Sequence, residues 1–249
     1  MSELEIKAGK IELDSVSIFT FSGSYMSLTN AIIGFEIYED LFTHTMSGRL
    51  SIQDGNGLIE RLPIVGDETI YIKFNSPFKE KSFEHSFLIN SITNRQKISD
   101  RMEIYDLELV SYEFLRSQYS TADKAYTGFY ISDIVKSVYD IIKHPSPEFV
   151  KPLEVEQTIG KHQFIAPENA PFEFIQLLCS EARSKDYPNN SCYIFYEDRD
   201  SFKFKTIASL IIEDPVENYY YAEANVEKES TTDGDKNVVY DFQIIEETE

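Results

Sequence analysis

The side chains that most often carry catalysis or metal binding are few in this chain and widely separated. Its four histidines are His44, His85, His144 and His162. No two of them have the spacing of a metal-binding motif such as HExxH, which places two imidazoles on one helix face. Loop and surface histidines are the simpler interpretation, so the sequence predicts no metal site.

The two cysteines, Cys179 and Cys192, are too few for a disulfide scaffold and do not form a CxxC pair. This favours a reducing compartment. Cys179 falls on the apolar stripe of a predicted helix, where a buried small hydrophobic side chain is the usual role. A thiolate nucleophile with His162 as its base is the less favoured alternative.

Adjacent carboxylates could supply the acid and the base of a glycan hydrolase. Three such pairs are Glu39-Asp40, Glu197-Asp198 and Glu213-Asp214. However, 43 acidic residues make pairs common by chance, and the chain has no Trp to stack on a sugar ring. We therefore expect no catalytic residue and no enzyme.

The run Asp54-Gly55-Asn56-Gly57 begins like a calcium loop. Leu58 then occupies the fifth position, where such a loop needs an oxygen ligand, so a turn is the better interpretation. The sequence contains neither a GxxxxGK[ST] nor a GxGxxG phosphate-binding motif. We expect no cofactor.

The composition of the chain narrows the range of possible functions further. The formal net charge is −20, which disfavours binding to nucleic acid or to an anionic membrane. No apolar run approaches the ~18 residues of a transmembrane helix, and Met1 is followed directly by polar residues, so we expect no membrane anchor and no signal peptide. The chain has 16 Tyr and 18 Phe, a bias that favours strands and protein contacts.

The elements that would position these side chains are mostly strands in the first half. Alternating runs lie near residues 11–21, 35–38, 50–52, 70–74, 83–93 and 102–112, with turn residues between them. This pattern predicts an antiparallel sandwich or barrel over residues 1–115. A short helix or extended corner is expected at residues 58–63.

Residues 116–215 have a different pattern, which predicts a small α+β module of two helices and a hairpin. Apolar residues recur at helical spacing from Ile131 to Ile142. A second helix has Asn169 as its expected N-cap and Pro171 in its first turn. The hairpin covers residues 192–205. The overall fold class is α+β and mainly β.

Residues 216–249 are acidic and contain Tyr219-Tyr220-Tyr221 and one more alternating run, 238–245. A strand so close to the last residue suggests a chain cut inside a domain. The sequence therefore predicts the start of a further β domain here.

The ordered motifs resemble a known family. The pattern consists of an EDLF…MSG strand pair at 39–48, a DGNGLIERLPI corner at 54–64 and an IYIKF strand at 70–74, followed by LELVSYE at 107–113, YTG at 126–128, APFEFI at 170–175 and YIFYE at 193–197. In this order they resemble the baseplate hub proteins of contractile-tailed, T-even-like phages. More distantly they resemble the N-terminal region of type VI secretion spike (VgrG-like) proteins. Coverage is roughly residues 11–212.

The resemblance implies a structural role. Residues 1–115 would be a tail-tube-type β-barrel, residues 116–215 the α+β module, and residues 216–249 the beginning of a second barrel. Three copies would form a ring that joins the tail tube protein to the central spike, contacts other baseplate proteins and lets DNA pass without specific binding. The protein would be made in the host bacterial cytoplasm and reside in the virion.

Two other functions stay open at this point: a cell-wall glycan hydrolase domain of a tail tip, and a non-viral acidic interaction module. Members of the family are generally longer than this chain. The side chains that we expect at a subunit interface are Leu58, Ile59, Leu62, Tyr219 and Tyr220.

Overall fold

The computed structural model describes residues 11–20, 23–55, 57–61, 64, 66, 68–75, 82–99, 101–166, 168–215, 220–221 and 238–239. Among the helices of these residues, none is long and apolar enough to cross a membrane.

The first half forms a curled, antiparallel seven-stranded sheet, as the alternating runs predict. Its strands are β1 Glu12–Phe19, β2 Tyr25–Ser27, β3 Ile32–Tyr38, β4 Ser47–Asp54, β5 Thr69–Asn75, β6 Phe83–Ser99 and β7 Met102–Val110. Their order across the sheet is β2-β1-β5-β6-β7-β4-β3. One turn of helix, α1 Leu58–Arg61, occupies the expected corner.

The curl follows from the short connection between the two outermost strands. β2 ends at Ser27 and β3 begins at Ile32, although the two strands stand at opposite ends of the strand order. The few residues between them span at most ~17 Å when extended, so the two sheet margins must approach each other. The sheet is therefore a half-barrel whose concave face encloses a core.

The core is filled by the side chains that point to the concave face at every second residue of the strands. Leu50 lies opposite Leu107, and Val16 lies opposite Ile72, in neighbouring strand pairs. All four side chains are at most 1% exposed. The predicted mainly β fold of the first half is confirmed.

The second half builds the α+β module around its own apolar core. Its elements are α2 Tyr112–Gln118, β8 Ala125–Phe129, α3 Ile131–Ile142, β9 Leu153–Val155, β10 His162–Ile165, α4 Pro171–Glu181, β11 Tyr193–Glu197, β12 Phe202–Thr206 and α5 Ile207–Ile212. The sheet β11-β12-β9 and the pair β10-β8 complete the module. The α3 stripe packs with α4 and with the aromatic faces of β11 and β12. The two helices and the hairpin that the sequence predicts are confirmed.

The start of α4 differs from the sequence prediction. Ala170, not Asn169, is the N-cap, and Pro171 is the first helical residue. The Asn169 carbonyl instead accepts a hydrogen bond from the Ala122 amide at 3.0 Å, which ties the helix start to the loop before β8. Tertiary contacts here outweigh the local preference of Asn for an N-cap.

Only a fragment of the acidic last segment is described. β13 Tyr220–Tyr221 pairs in parallel with β14 Val238–Val239. Tyr219 and residues 240–245 of the predicted last strand lie outside the described residues. The assignment of residues 216–249 to a second barrel stays a prediction, as does the domain division at 115 and 215.

Candidate functional site

Each of the three carboxylate pairs has at least one member with a structural partner. Asp40 accepts a hydrogen bond from the Phe42 amide, and Glu213 pairs with Lys205 at 3.1 Å. Asp198 accepts from the amides of Asp200 and Ser201 and pairs with Lys203. These contacts fix loops and the β11–β12 turn.

Cys179 and the glycine-rich turn also have structural roles. Cys179 is buried in the module, as predicted, and burial raises the pKa of its thiol to about 12. A nucleophile needs the opposite shift. Asp54 accepts a hydrogen bond from the Leu58 amide at 2.5 Å. Its carboxylate therefore caps α1, which is a structural role and not that of a calcium ligand. Among the described residues, no group of three or more His, Cys, Asp or Glu side chains could hold a metal ion.

One carboxylate stands apart, because it connects the half-barrel to the module. Glu197 ends β11, and its side chain is fully buried. Its Oε2 accepts from the Met46 amide at 2.8 Å and from the Ser111 hydroxyl at 2.6 Å, both at the ends of half-barrel strands. A carboxylate from the module therefore satisfies donors of the half-barrel. We call Glu197, Lys151, His85, Glu113 and Ser111 the junction.

Lys151 supplies the opposite charge. Its Nζ lies 2.8 Å from Glu197 Oε1, as an ion pair without hydrogen-bond alignment, and donates to the Asp198 carbonyl at 2.7 Å. The Lys151 side chain is 12% exposed. A buried pair of this kind is costly to break on one side, because the remaining charge is left without compensation.

His85 contributes a neutral imidazole to the junction. Its Nε2 is buried, lies 3.8 Å from Glu197 Oε1 and has no hydrogen-bond partner among the described residues. Burial, and then the Lys151 charge, lower the pKa of His85 to about 3. The sequence-based assignment of His85 to a loop or surface is wrong: it lies between Phe83 and Phe87 on the inner side of β6, and its ring packs edge-on against Phe87.

The second acid of the junction is Glu113, in the first turn of α2 and 5% exposed. Burial, and then the nearby Glu197 charge, raise the pKa of Glu113 to about 7. Glu113 and Glu197 both line a cavity of about 320 Å³ between the half-barrel and the module, together with His85, His144 and Lys151.

His44 makes a second contact between the half-barrel and the module. Its ring lies 5.2 Å from that of Phe172, and its Nδ1 lies 3.2 Å from the Phe195 carbonyl oxygen. Burial lowers the pKa of His44. A half-barrel loop residue thus sits on the aromatic face of the module.

Sequence reasoning missed most of this site. At the level of the sequence, Glu197 is considered only as a member of the Glu197-Asp198 pair within the 192–205 hairpin, although alternation from Tyr193 through Phe195 places it on the buried face of β11. The same alternation from Phe83 to Phe87 could have found His85. No local pattern distinguishes Glu113 or Lys151 from the other charged residues.

The predicted interface residues have different surroundings. Leu58 is 4% exposed in the half-barrel core, and Ile59 is partly buried against the same core. Leu62 and Tyr219 lie outside the described residues, and of Tyr220 only the backbone pairing in β13 is described. Their role at a subunit interface stays a prediction.

The half-barrel joined to an α+β module is a fold of phage tail proteins. The 43 kDa tail protein of prophage MuSo2 from Shewanella oneidensis superimposes with a TM-score of 0.50 at 10% identity, over 77% of this chain and 54% of that one. The prophage tail protein gp18 from Listeria monocytogenes EGD-e has a TM-score of 0.50 at 14% identity, over 86% of this chain and 56% of that one. These likenesses establish the fold.

Similarity in sequence is more specific. The chain is 28% identical over 188 residues to the probable baseplate hub protein gp334 of Vibrio phage KVP40, which covers 74% of this chain. The chain spans 43% of the length of that relative. The resemblance to baseplate hub proteins that the motifs predict is therefore confirmed. No family model matches the chain.

Proposed function

We propose that this chain is a structural subunit of a phage tail baseplate hub. Three copies form a ring that joins the tail tube to the central spike, and DNA passes through the ring. The observation that carries the proposal is the similarity to a probable baseplate hub protein along 188 residues.

The junction supports a mechanical role. A hub subunit must keep its parts in a fixed orientation while neighbouring proteins push or pull on it. Glu197 accepts donors from the half-barrel and faces a cation of the module, so it holds these two parts in one geometry. An alternative packing of the two parts would leave these buried charges without partners, which is costly.

The charge of −20 supports passage of DNA without retention. Phosphate backbones are repelled by a surface of like sign, so a ring lined by such subunits would not hold DNA specifically. The proposed site of action is the tail baseplate of the virion, after synthesis in the host cytoplasm.

Co-assembly with the neighbouring components tests this function. The chain is mixed with tail tube and central spike proteins from one phage, and the products are imaged by electron microscopy. We expect a ring of three copies between tube and spike. A protein that never joins either component would contradict the proposal.

A glycan hydrolase is the second candidate, and one observation bears on it. Glu113, whose pKa burial raises to about 7, lines the same cavity as Glu197, and a carboxyl group with a raised pKa can act as a general acid. Glu197 is fully buried and already bonded, so a substrate cannot reach it without opening the junction. We favour the structural role.

A cell-wall clearing assay separates the two functions. Glu197→Ala is a poor probe, because loss of the junction would abolish any activity by unfolding. Glu113→Gln keeps the side-chain shape and removes the titrating proton. We expect no clearing by the wild-type chain; clearing that the glutamine variant loses while it stays folded would favour the hydrolase.

A further inference from the structure

Helix α2 carries two tyrosines and an arginine along its outer face. Tyr112, Arg116 and Tyr119 stand at i, i+4 and i+7, which places them on one side of the helix. The opposite side is buried through Glu113 and Ser117. Tyr119 is 84% exposed, and Arg116 is exposed as well. We call Tyr112, Arg116 and Tyr119 the α2 stripe.

Two surface grooves lie beside the α2 stripe, and Tyr112 and Arg116 line both of them. The first groove has a volume of about 500 Å³ and is bounded by the half-barrel strand β6 near Leu88. The second has a volume of about 800 Å³ and is bounded by the loop between α3 and β9, which includes Pro145 and Pro147. The stripe is therefore flanked by enough space for an extended peptide.

The Arg116 guanidinium makes neither an ion pair nor a hydrogen bond with the residues that the structure describes. The other base in the two grooves, Lys143, already pairs with Asp140 at 2.7 Å. Two bases and one acid give the grooves a net charge of 2 − 1 = +1, within a chain of −20. A carboxylate is the group that best complements an unpaired guanidinium, because its two oxygens match two of the N–H groups.

The spacing of the two tyrosines indicates the shape of the ligand. Tyr119 follows Tyr112 by seven residues, a rise of about 10 Å along a helix. One turn of a polyproline II helix contains three residues and rises about 9 Å. A Pro-x-x-Pro segment therefore presents its two prolines at nearly the spacing of the two rings, and aromatic-lined grooves are the usual binding sites of such segments. Arg116 lies between the two tyrosines, opposite the residues that separate the prolines.

We propose that the α2 stripe is a docking site for a partner protein, which binds through a Pro-x-x-Pro segment with a carboxylate between its prolines. The prolines pack on Tyr112 and Tyr119, and the carboxylate pairs with Arg116. Tyrosine and arginine are among the residue types that contribute most to binding at interfaces. A polyproline II segment is extended before it binds, so it loses little conformational entropy. This contact goes beyond the proposed ring and does not depend on it.

A purely structural role of the stripe would need no ligand. Arg116 lies in the last turn of α2, where a cation interacts favourably with the helix dipole. Single exposed aromatic side chains are also ordinary on protein surfaces. Neither role involves a carboxylate from another molecule, so two peptides that differ only in that group separate docking from a structural role.

Titration of the isotope-labelled chain with two synthetic peptides, followed by NMR, tests the docking site. The peptides are PPEPPP and its twin PPQPPP, both with blocked ends, so that a neutral amide replaces the carboxylate in the second. We expect PPEPPP to shift the amide signals of α2 and to bind about tenfold more tightly than PPQPPP. Arg116→Ala should bind both peptides equally weakly, and Tyr119→Ala should weaken the binding of both.

Tyr25→Ala is the matched control for the tyrosine variant. It removes a tyrosine that is 61% exposed on β2, outside both grooves, and it should bind PPEPPP as the wild type does. Circular dichroism verifies that each variant is folded.

Each other outcome overturns the docking site. The absence of any shift in the α2 signals up to about 1 mM PPEPPP does so directly. Equal affinity for the two peptides, or binding of PPEPPP by Arg116→Ala as tight as by the wild type, shows that Arg116 does not bind a carboxylate. Single-stranded oligothymidine also offers stacking rings and anions. If it shifts the same signals at a lower concentration than PPEPPP does, the stripe is a nucleic-acid site. The ring is tested separately by co-assembly.

Discussion

The junction and the end of the β6–β7 hairpin both carry charged side chains, but in opposite surroundings. At the junction, Glu197 is fully buried and Lys151 is nearly so, and both find partners within the chain. At the end of this hairpin, Arg95 pairs with Glu103 at 2.7 Å, and the Arg95 side chain is 49% exposed. Burial makes a charge costly to leave unpaired, whereas exposure to water makes the loss of a partner inexpensive. The first set should therefore contribute far more to stability than the second.

The largest effect should come from removing the buried acid. Glu197→Ala leaves Lys151 and the Met46 amide without their partner, so the free energy of unfolding should fall by about 3–5 kcal/mol. Urea titration measures the loss. Glu148→Ala is the matched control, since this exposed acid lines the same cavity and should cost no more than about 0.5 kcal/mol. Equal stability of the two variants would contradict the role of the junction.

The pH dependence of stability should reveal Glu113. Its pKa is raised in the folded state from 4.5 to about 7, so its contribution is fully present below pH 4.5 and is lost as the pH rises through 7. Over this window the wild type should lose about 3 kcal/mol relative to Glu113→Gln. Urea titrations at a series of pH values provide the difference. A constant difference between the two proteins would show that Glu113 does not titrate as described.

His85 should act in the opposite direction. Its pKa is lowered from 6.5 to about 3 in the folded state, so its contribution is present above pH 6.5 and is lost as the pH falls. Between pH 6.5 and about pH 5 the wild type should lose about 2 kcal/mol relative to His85→Phe. The phenylalanine keeps a ring between Phe83 and Phe87. Parallel pH profiles for the two proteins would mean that His85 is not held neutral.

The smallest effect on folding is expected at the end of the β6–β7 hairpin. Arg95→Ala removes the partly exposed ion pair between Arg95 and Glu103, so the free energy of unfolding should change by no more than about 0.5 kcal/mol. The comparison is made in dilute protein, where association adds no stability. A loss as large as that of Glu197→Ala would mean that exposed and buried ion pairs contribute equally to stability, and the contrast between the two regions would fail.

Much of the fold could be predicted from local patterns. Alternation located most strands of the half-barrel, and the apolar stripe from Ile131 to Ile142 gave the bounds of α3. These patterns report a face that must be buried, which is a local property. The short strands β9 and β10 and the helix α5 were missed, since three to six residues are too few for a period to emerge.

The candidate site could be predicted only in part. The alternation of β11 places Glu197 on an inner face, but its partners Met46 and Ser111 are 151 and 86 residues away in sequence. The raised pKa of Glu113 in α2 likewise depends on its burial and on the charge of Glu197 in β11. Such contacts arise only when the chain has folded, so a single sequence does not reveal them.

Native mass spectrometry of the wild-type chain tests the central claim most directly. The proposed hub function predicts a species of three copies. A monomer at every protein concentration and salt concentration would contradict the account.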